Sequence, residues 1–252
     1  MSEKITSRAN PLMTHIRRLA ASRAYRRETG EYLADGVKLL EEAVRWGAPI
    51  TAVVHTAGTA LPPLPPGTRL VEVPRDVMAS VSPMEAPQGA LFTARTPDTA
   101  LPERLTGRRY LALEGVQDPG NVGTALRTAD AFGADGAILL PGCADPFNHK
   151  TVRSTMGAAF RLPVYACALE ELLPRLRAAG LPLIAAALRS DTVDAREADL
   201  RRGVILVGSE GRGLTPAALD ACDTAVRLPM EGKCESLNAA MAAGLLLWEG
   251  YR

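Results

Sequence analysis

Three short stretches of this 252-residue chain carry side chains that could do chemistry. The first is LEGVQDPGNVGTALRTADAFG at 113–133, in which Asp118-Pro119-Gly120 makes a turn and Asn121 can cap a helix carrying Arg127. A well-made βα turn followed by an exposed helical arginine accounts for these letters as well as a site does. The second is LVGSEGRGL at 206–214, where Gly208, Gly211 and Gly213 let a backbone approach a ligand closely. It has neither the G-x-G-x-x-G spacing nor the Lys-Ser/Thr of a phosphate-binding P-loop. Glu210 inside it would repel phosphate beside a helix start, so a hydroxyl, an amine or an arginine is the better partner. The third is LPMEGKCESLNAAMAAGLLLWEG at 228–250: an apolar strand tip, a charged glycine turn, then Ser236-Leu237-Asn238 entering an alanine-rich helix, with Ser236 as the expected cap. A C-terminal helix docked on a core reads equally well there.

The elements that must position these stretches follow from hydrophobic periodicity. From 108 onward strands and helices alternate: strands at 108–116, 135–142, 162–167, 181–188, 203–211 and 224–230, helices at 121–133, 150–159, 169–180 and 215–222, then the final helix. Thr215 and Pro216 suit the cap and first position of their helix. Such alternation implies a parallel sheet covered on both faces, with ligands at the carboxyl ends of the strands. Residues 1–95 form a smaller α/β unit, with an amphipathic helix at 11–27 closed by Gly30, a helix at 37–46, a strand at 50–56, a proline loop at 61–67, and further β and α elements to 95. The stretch 96–107, TPDTALPERLTG, is the linker.

Composition bounds the reading. About half the residues are apolar (47%) and the net charge is +1, so a large core is available and no global polyanion signal exists. Residues 1–30 nonetheless hold Lys4, Arg8, Arg17, Arg18, Arg23, Arg26 and Arg27 against Glu3 and Glu28. That is either a phosphate-attracting face or a solvated helix. Cys143, Cys167, Cys222 and Cys234 form no C-x-x-C pair, so zinc and disulfides are not indicated. No secretory leader or membrane span is read, and a cytoplasmic location is expected.

Together the three stretches resemble the signature motifs of the SpoU/TrmH-type RNA 2′-O-ribose methyltransferases of the SPOUT superfamily. The first matches N-x-G-x-x-x-R-T-A through Asn121, Gly123, Arg127, Thr128 and Ala129. The second matches G-S-E-G-x-G-L from Gly208 to Leu214. The third matches P-M-x-G-x-x-x-S-L-N through Pro229, Met230, Gly232, Ser236, Leu237 and Asn238. The segment RSTMGAAFRLPV at 153–164 also looks like the family's. The resemblance covers 108–252. Residues 1–95 are more weakly similar, through 10–44 and 87–95, to the family's N-terminal substrate-binding domain of the ribosomal protein L30e type.

The resemblance implies what spacing would not. Knots are nearly absent from ordinary connections, yet this family threads the C-terminal part of its mainly parallel sheet into a deep trefoil knot and holds S-adenosylmethionine in the knotted loops. Here those would follow 181–188, span 208–213 and run from 228 to 237. The implied reaction is attack of a ribose 2′-oxygen on the sulfonium methyl, without metal. Arg127 would orient the ribose and a phosphate and stabilise alkoxide charge, because a guanidinium of pKa above about 12 is a poor base. Asn121 would fix the loop or the target nucleotide. Glu210 would position Arg127 or accept the proton, and Ser236 and Asn238 would hold the cofactor turn and the reacting groups. Gly208, Leu228, Met230, Ser236 and Leu237 are the implied cofactor contacts, Leu228 and Met230 serving equally as core side chains.

In this setting Arg17, Arg18, Arg23, Arg26 and Arg27 become RNA-binding candidates. Family members are usually homodimers, and the small residues at 239–244 suit close helix packing, whether between subunits or within the chain. Ala239 stands where a valine is common, and Cys234 lies in the third motif, where it would be sensitive to oxidation or alkylation. The expected substrate is 23S ribosomal RNA. Transfer RNA is the alternative substrate, and a catalytically idle RNA-binding or assembly protein is the alternative class.

Overall fold

The computed structural model describes residues 3–189, 191–232 and 236–252. The chain divides into two compact units, one of Met1–Pro97 with Phe147–Arg161, the other of Asp98–Pro146 with Leu162–Arg252.

The first unit runs β1 (Glu3–Lys4), α1 (Pro11–Ala21), α2 (Arg23–Thr29), β2 (Glu31–Asp35), α3 (Val37–Arg45), β3 (Ile50–His55), β4 (Arg69–Glu72), α4 (Arg75–Val81) and β5 (Ala90–Arg95). The strands form one sheet in the order β1-β4-β3-β5-β2, with β5 antiparallel to both neighbours. Leu12, Met13, Ile16 and Leu19, spaced for one helix face, bury against Leu33, Val54 and Val71. The single helix expected over 11–27 is two. Ser22 is extended, with φ −123°, and its hydroxyl accepts from Tyr25 N at 3.2 Å. A short hydroxyl that bonds nearby backbone competes with helix continuation and starts a new one. Gly30 closes α2 at φ 65°, as its sequence position suggests.

The second unit contributes β6 (Arg109–Leu113), α5 (Pro119–Ala131) and β7 (Gly136–Leu139). The chain then gives α6 (His149–Ser154) and a 3₁₀ turn (Ala158–Phe160) to the first unit. Val152 and Phe147 bury there beside Tyr32, Leu40 and Phe92. It continues with β8 (Val164–Ala166), α7 (Leu169–Ala179), β9 (Leu183–Ala186), β10 (Val193–Asp194), β11 (Gly203–Val207), α8 (Pro216–Asp220), β12 (Thr224–Arg227) and α9 (Ala239–Tyr251). Pro174 sits inside α7 without ending it.

The seven strands pair in the order β10-β12-β9-β11-β6-β7-β8, every pairing parallel. Each residue of β6, β7 and β11 is buried, which is why these strands read as unbroken apolar runs. One face packs α5 and α9 through Val122, Leu126, Ala243 and Leu246, and the other packs α7 and α8 through Leu172, Leu176 and Ala218. Register places Val207 beside Leu113, Leu206 beside Ala185 and Val226 beside Ala186. The four central strands therefore end level, and their exit loops leave from one edge. The small residues of α9 serve this core: Ala239, Ala240 and Ala243 are buried, and a Cβ at Gly244 would lie 3.3 Å from Thr128 Cγ2 of α5. No helix among the described residues is long and apolar enough to cross a membrane.

Candidate functional site

At the exit of β6 the cap of α5 is Asp118 rather than Asn121. Asp118 Oδ1 accepts from Asn121 N at 2.8 Å, and Pro119 takes the first helical position, where its missing N–H costs nothing. The Asn121 side chain is thereby released to reach across the edge, and its Nδ2 donates to Glu210 Oε1 at 2.5 Å. A parallel correction applies to α9. Its cap is Asn238, not Ser236, with Oδ1 accepting from Ala240 N at 3.0 Å and Met241 N at 3.2 Å. Asn238 Nδ2 donates to Asn121 Oδ1 at 2.9 Å, and Ala239 N donates to Glu210 Oε1 at 3.3 Å. One carboxylate oxygen and two amides thus tie the three sequence motifs together. The start of α9 supplies a positive dipole end that favours the Glu210 charge.

Glu210 is therefore engaged by Asn121 and Ala239 and not by Arg127. Arg127 is exposed on α5, about 9 Å along the axis from Asn121, lines neither cavity described below, and bonds to no described residue.

The glycine loop closes on itself. Gly213 N donates to Ser209 O at 2.9 Å, and a Cβ at Gly208 would sit 2.6 Å from Leu214 N and closer still to the Gly213 carbonyl. Gly213 has φ 66°. Two of the three glycines thus answer to the loop's own backbone, while Gly211 has open space where a side chain would be. A site sequence reasoning passed over lies just beneath. Glu114, a lone acid at the end of an apolar strand, is buried and accepts from Thr215 N at 2.8 Å and Thr215 Oγ1 at 2.9 Å. It fastens the end of the glycine loop to β6. Thr215 caps α8 ahead of Pro216, as its sequence implies.

Two cavities flank this loop. One, of about 370 Å³, is lined by Gly208, Leu228, Met230, Ser236 and Leu237, all five of the sequence-derived cofactor candidates, and by the exit of β9 at Ala187 and Leu188. The sequence had not singled out Arg189 or Arg212, which also line it. The other, of about 630 Å³, lies between Gln117, Gly142, Glu170 and the opposite side of Glu210 and Gly211.

Of the five arginines proposed for RNA, Arg26 is corrected. It is 4% exposed, and its Nη1 donates to Leu19 O at 2.6 Å, tying α2 to the end of α1 from inside. Arg17 donates to Arg8 O at 2.8 Å, Arg18 lies 3.7 Å over the Tyr25 ring, and Arg23 and Arg27 are exposed. Cys143, Cys167 and Cys222 are not in disulfides; burial pushes Cys167 and Cys222 up to about 11. Cys234 lies outside the described residues.

Residues 108–248 match the SpoU rRNA Methylase family, and residues 10–91 match the MRM3-like substrate binding domain. The chain is 34% identical over 224 residues to the 23S rRNA (guanosine(2553)-2'-O)-methyltransferase RlmP of Bacillus subtilis, covering 88% of this chain and 89% of that protein. It is 29% identical over 268 residues to the 23S rRNA (uridine(2479)-2'-O)-methyltransferase of Streptomyces viridochromogenes, covering 100% and 92%. The AdoMet-bound rRNA methyltransferase from Sinorhizobium meliloti superposes with a TM-score of 0.87 at 33% identity, covering 99% and 97%.

Proposed function

The chain belongs to the SpoU rRNA methylase family, and we propose that it transfers a methyl group from S-adenosylmethionine to a ribose 2′-hydroxyl of 23S ribosomal RNA. The observation that carries this reading is the hydrogen-bonded cluster of Asn121, Glu210 and Asn238 beside the smaller cavity of the second unit.

The cavity suits such a donor. Its volume lies in the range of small-molecule sites, its walls are largely apolar at Leu188, Val226, Leu228 and Met230, and strand exits supply backbone polar groups. Gly208, Leu228, Met230, Ser236 and Leu237 would hold it. When bound, the donor supplies an electrophilic methyl group. The chain supplies alignment and charge. Asn121 and Asn238 fix the Glu210 carboxylate, to which we assign the 2′-hydroxyl proton, since Glu210 does not engage Arg127. Arg127, with no partner among the described residues, is left to orient the ribose and a phosphate and to stabilise developing negative charge on the 2′-oxygen.

In this reading residues 1–95 are the RNA substrate-binding domain of L30e type, 96–107 the linker and 108–252 the methyltransferase domain. Arg17, Arg18, Arg23 and Arg27 form the RNA face. Two further features belong to the proposal. Strand β12 enters between β9 and β10 after β11 has been laid on the other side of β9, and this threading is the basis on which we infer the deep trefoil knot. Met241, Leu245 and Trp248 form an exposed apolar stripe on α9 at i, i+4 and i+7. With Tyr251, which stacks on Trp248, it suits a second copy of the chain, so the working unit is a cytoplasmic homodimer.

Transfer of tritium from labelled donor into ribosomal RNA tests the reading. Arg127→Ala is expected to lower the rate about 10²–10³-fold while donor affinity is kept. Donor binding by the wild type with no label in any RNA would sink it, and label confined to transfer RNA would move the substrate to that class.

A further inference from the structure

The first unit holds a cavity of about 790 Å³ along α3 that none of the catalytic, cofactor or RNA-binding candidates named above lines. Trp46 lines it, 47% exposed, a large aromatic surface that a domain ordinarily buries. Two guanidiniums attend the ring: Arg161 Cζ lies 5.3 Å and Arg45 Cζ 5.8 Å from its centroid. A single carboxylate organises all three groups. Glu42 accepts from Arg161 Nη1 at 2.9 Å and from Trp46 Nε1 at 3.3 Å, and pairs with Arg45 Nη1 at 3.6 Å.

The backbone has been shaped to bring Arg161 there. Gly157, at φ 99°, passes so close that a Cβ would lie 3.0 Å from Glu42 Cβ, Cγ and Oε2. Met156 before it is half exposed and is the one non-glycine residue at positive φ (49°) among the described residues. Such strain is kept where the surroundings over-determine it. Arg153 lines the same cavity.

A half-exposed indole with two planar cations within 6 Å of its ring centre matches an unpaired nucleobase. The base stacks on the ring whatever its identity, and the phosphates on either side meet the arginines. A protein anchor would instead need apolar walls, and here the wall around the ring is guanidinium and carboxylate. We propose that Trp46, with Arg45 and Arg161, is a stacking platform for an unpaired base of the RNA substrate. The proposal rests on the RNA reading above and deepens it.

The sequence has two tryptophans, so Trp248→Phe leaves Trp46 as the sole indole reporter in the full chain. Titration with an unstructured oligouridylate is expected to quench its fluorescence, with a midpoint that weakens as salt rises and about tenfold more in Arg161→Ala. Polyphosphate, which cannot stack, is expected not to quench. In the methylation assay Trp46→Ala should raise KM for ribosomal RNA about tenfold, with donor affinity and melting temperature kept, and Trp46→Phe should restore most of it. No quenching by the oligonucleotide, equal quenching by polyphosphate, or a KM unchanged in Trp46→Ala each overturns the platform. Quenching in Trp248→Phe beside a wild type that methylates no RNA instead refutes the transferase reading and leaves the platform standing.

Discussion

The two sheets are built by the same rules and end with different capacities. In the seven-stranded sheet every pairing is parallel, so β6, β9, β11 and β12 all deliver their next residues to one edge. In the five-stranded sheet β5 runs against both β3 and β2, so turns leave from both edges and no comparable cluster of loops arises. Polar groups in the first unit are settled in separate small clusters on its helices: His15 bridges Tyr25 at 2.9 Å and Glu31 at 2.8 Å, Arg26 caps the Leu19 carbonyl, and Glu42 holds Arg161. In the second unit Asn121, Glu210 and Asn238 meet instead at one edge, each arriving from a different strand exit. Strand direction decides whether a sheet can gather a reacting centre or only offer its helices as a surface.

Five substitutions test that contrast. Gly208→Ala should have the largest effect, because the added Cβ meets backbone that cannot rotate away. Overpacking of this kind costs about 1–3 kcal/mol, so titration calorimetry should show donor affinity lowered roughly tenfold to a hundredfold with the far-ultraviolet spectrum unchanged. Retained affinity would mean that the loop closure is not what shapes the cavity.

Arg26→Ala comes next, and it separates structural from RNA-facing arginines. Removing a buried donor leaves the Leu19 carbonyl without its partner and should cost about 1–3 kcal/mol of stability, visible as a lowered melting temperature. Arg27→Ala should leave stability alone and instead reduce the slope of RNA affinity against salt by about one. Equal melting temperatures for the two variants would place Arg26 back on the surface.

Asn238→Ala should have the smallest effect on stability, about 1 kcal/mol for the lost cap, read by thermal denaturation. Asn238→Asp keeps the cap but puts a second carboxylate beside Glu210, so it should recover stability without recovering activity. An active Asn238→Asp protein would detach the Asn121 contact from function.

Much of this arrangement was legible in the letters, for physical reasons. Alternating apolar runs and helical spacing marked the parallel sheet, Thr215-Pro216 announced a helix start, and Gly30 a helix end. The failures were local competitions. Ser22 could continue a helix or cap a new one, and it capped. Asn121 and Ser236 both occupied plausible cap positions, but Asp118 and Asn238 stood closer to the ends that formed and took the role. Arg26 carried the same charge as its neighbours, and only its place on the inner side of α2 removed it from the basic face. Glu114 left one signal, an acid closing an apolar strand, whose meaning depends on Thr215, 101 residues away.

The sequence by itself determined the residue types: an amide, a carboxylate and a guanidinium at the strand exits, glycines where backbone must pass backbone, and the family to which the three motifs belong. Only the tertiary structure decided their partners. Helical and strand periods fix which side of an element a residue faces over a few turns, whereas the bond from Asn121 to Glu210 and the Arg161 guanidinium over Trp46 join positions 89 and 115 residues apart, whose meeting is set by sheet order and packing.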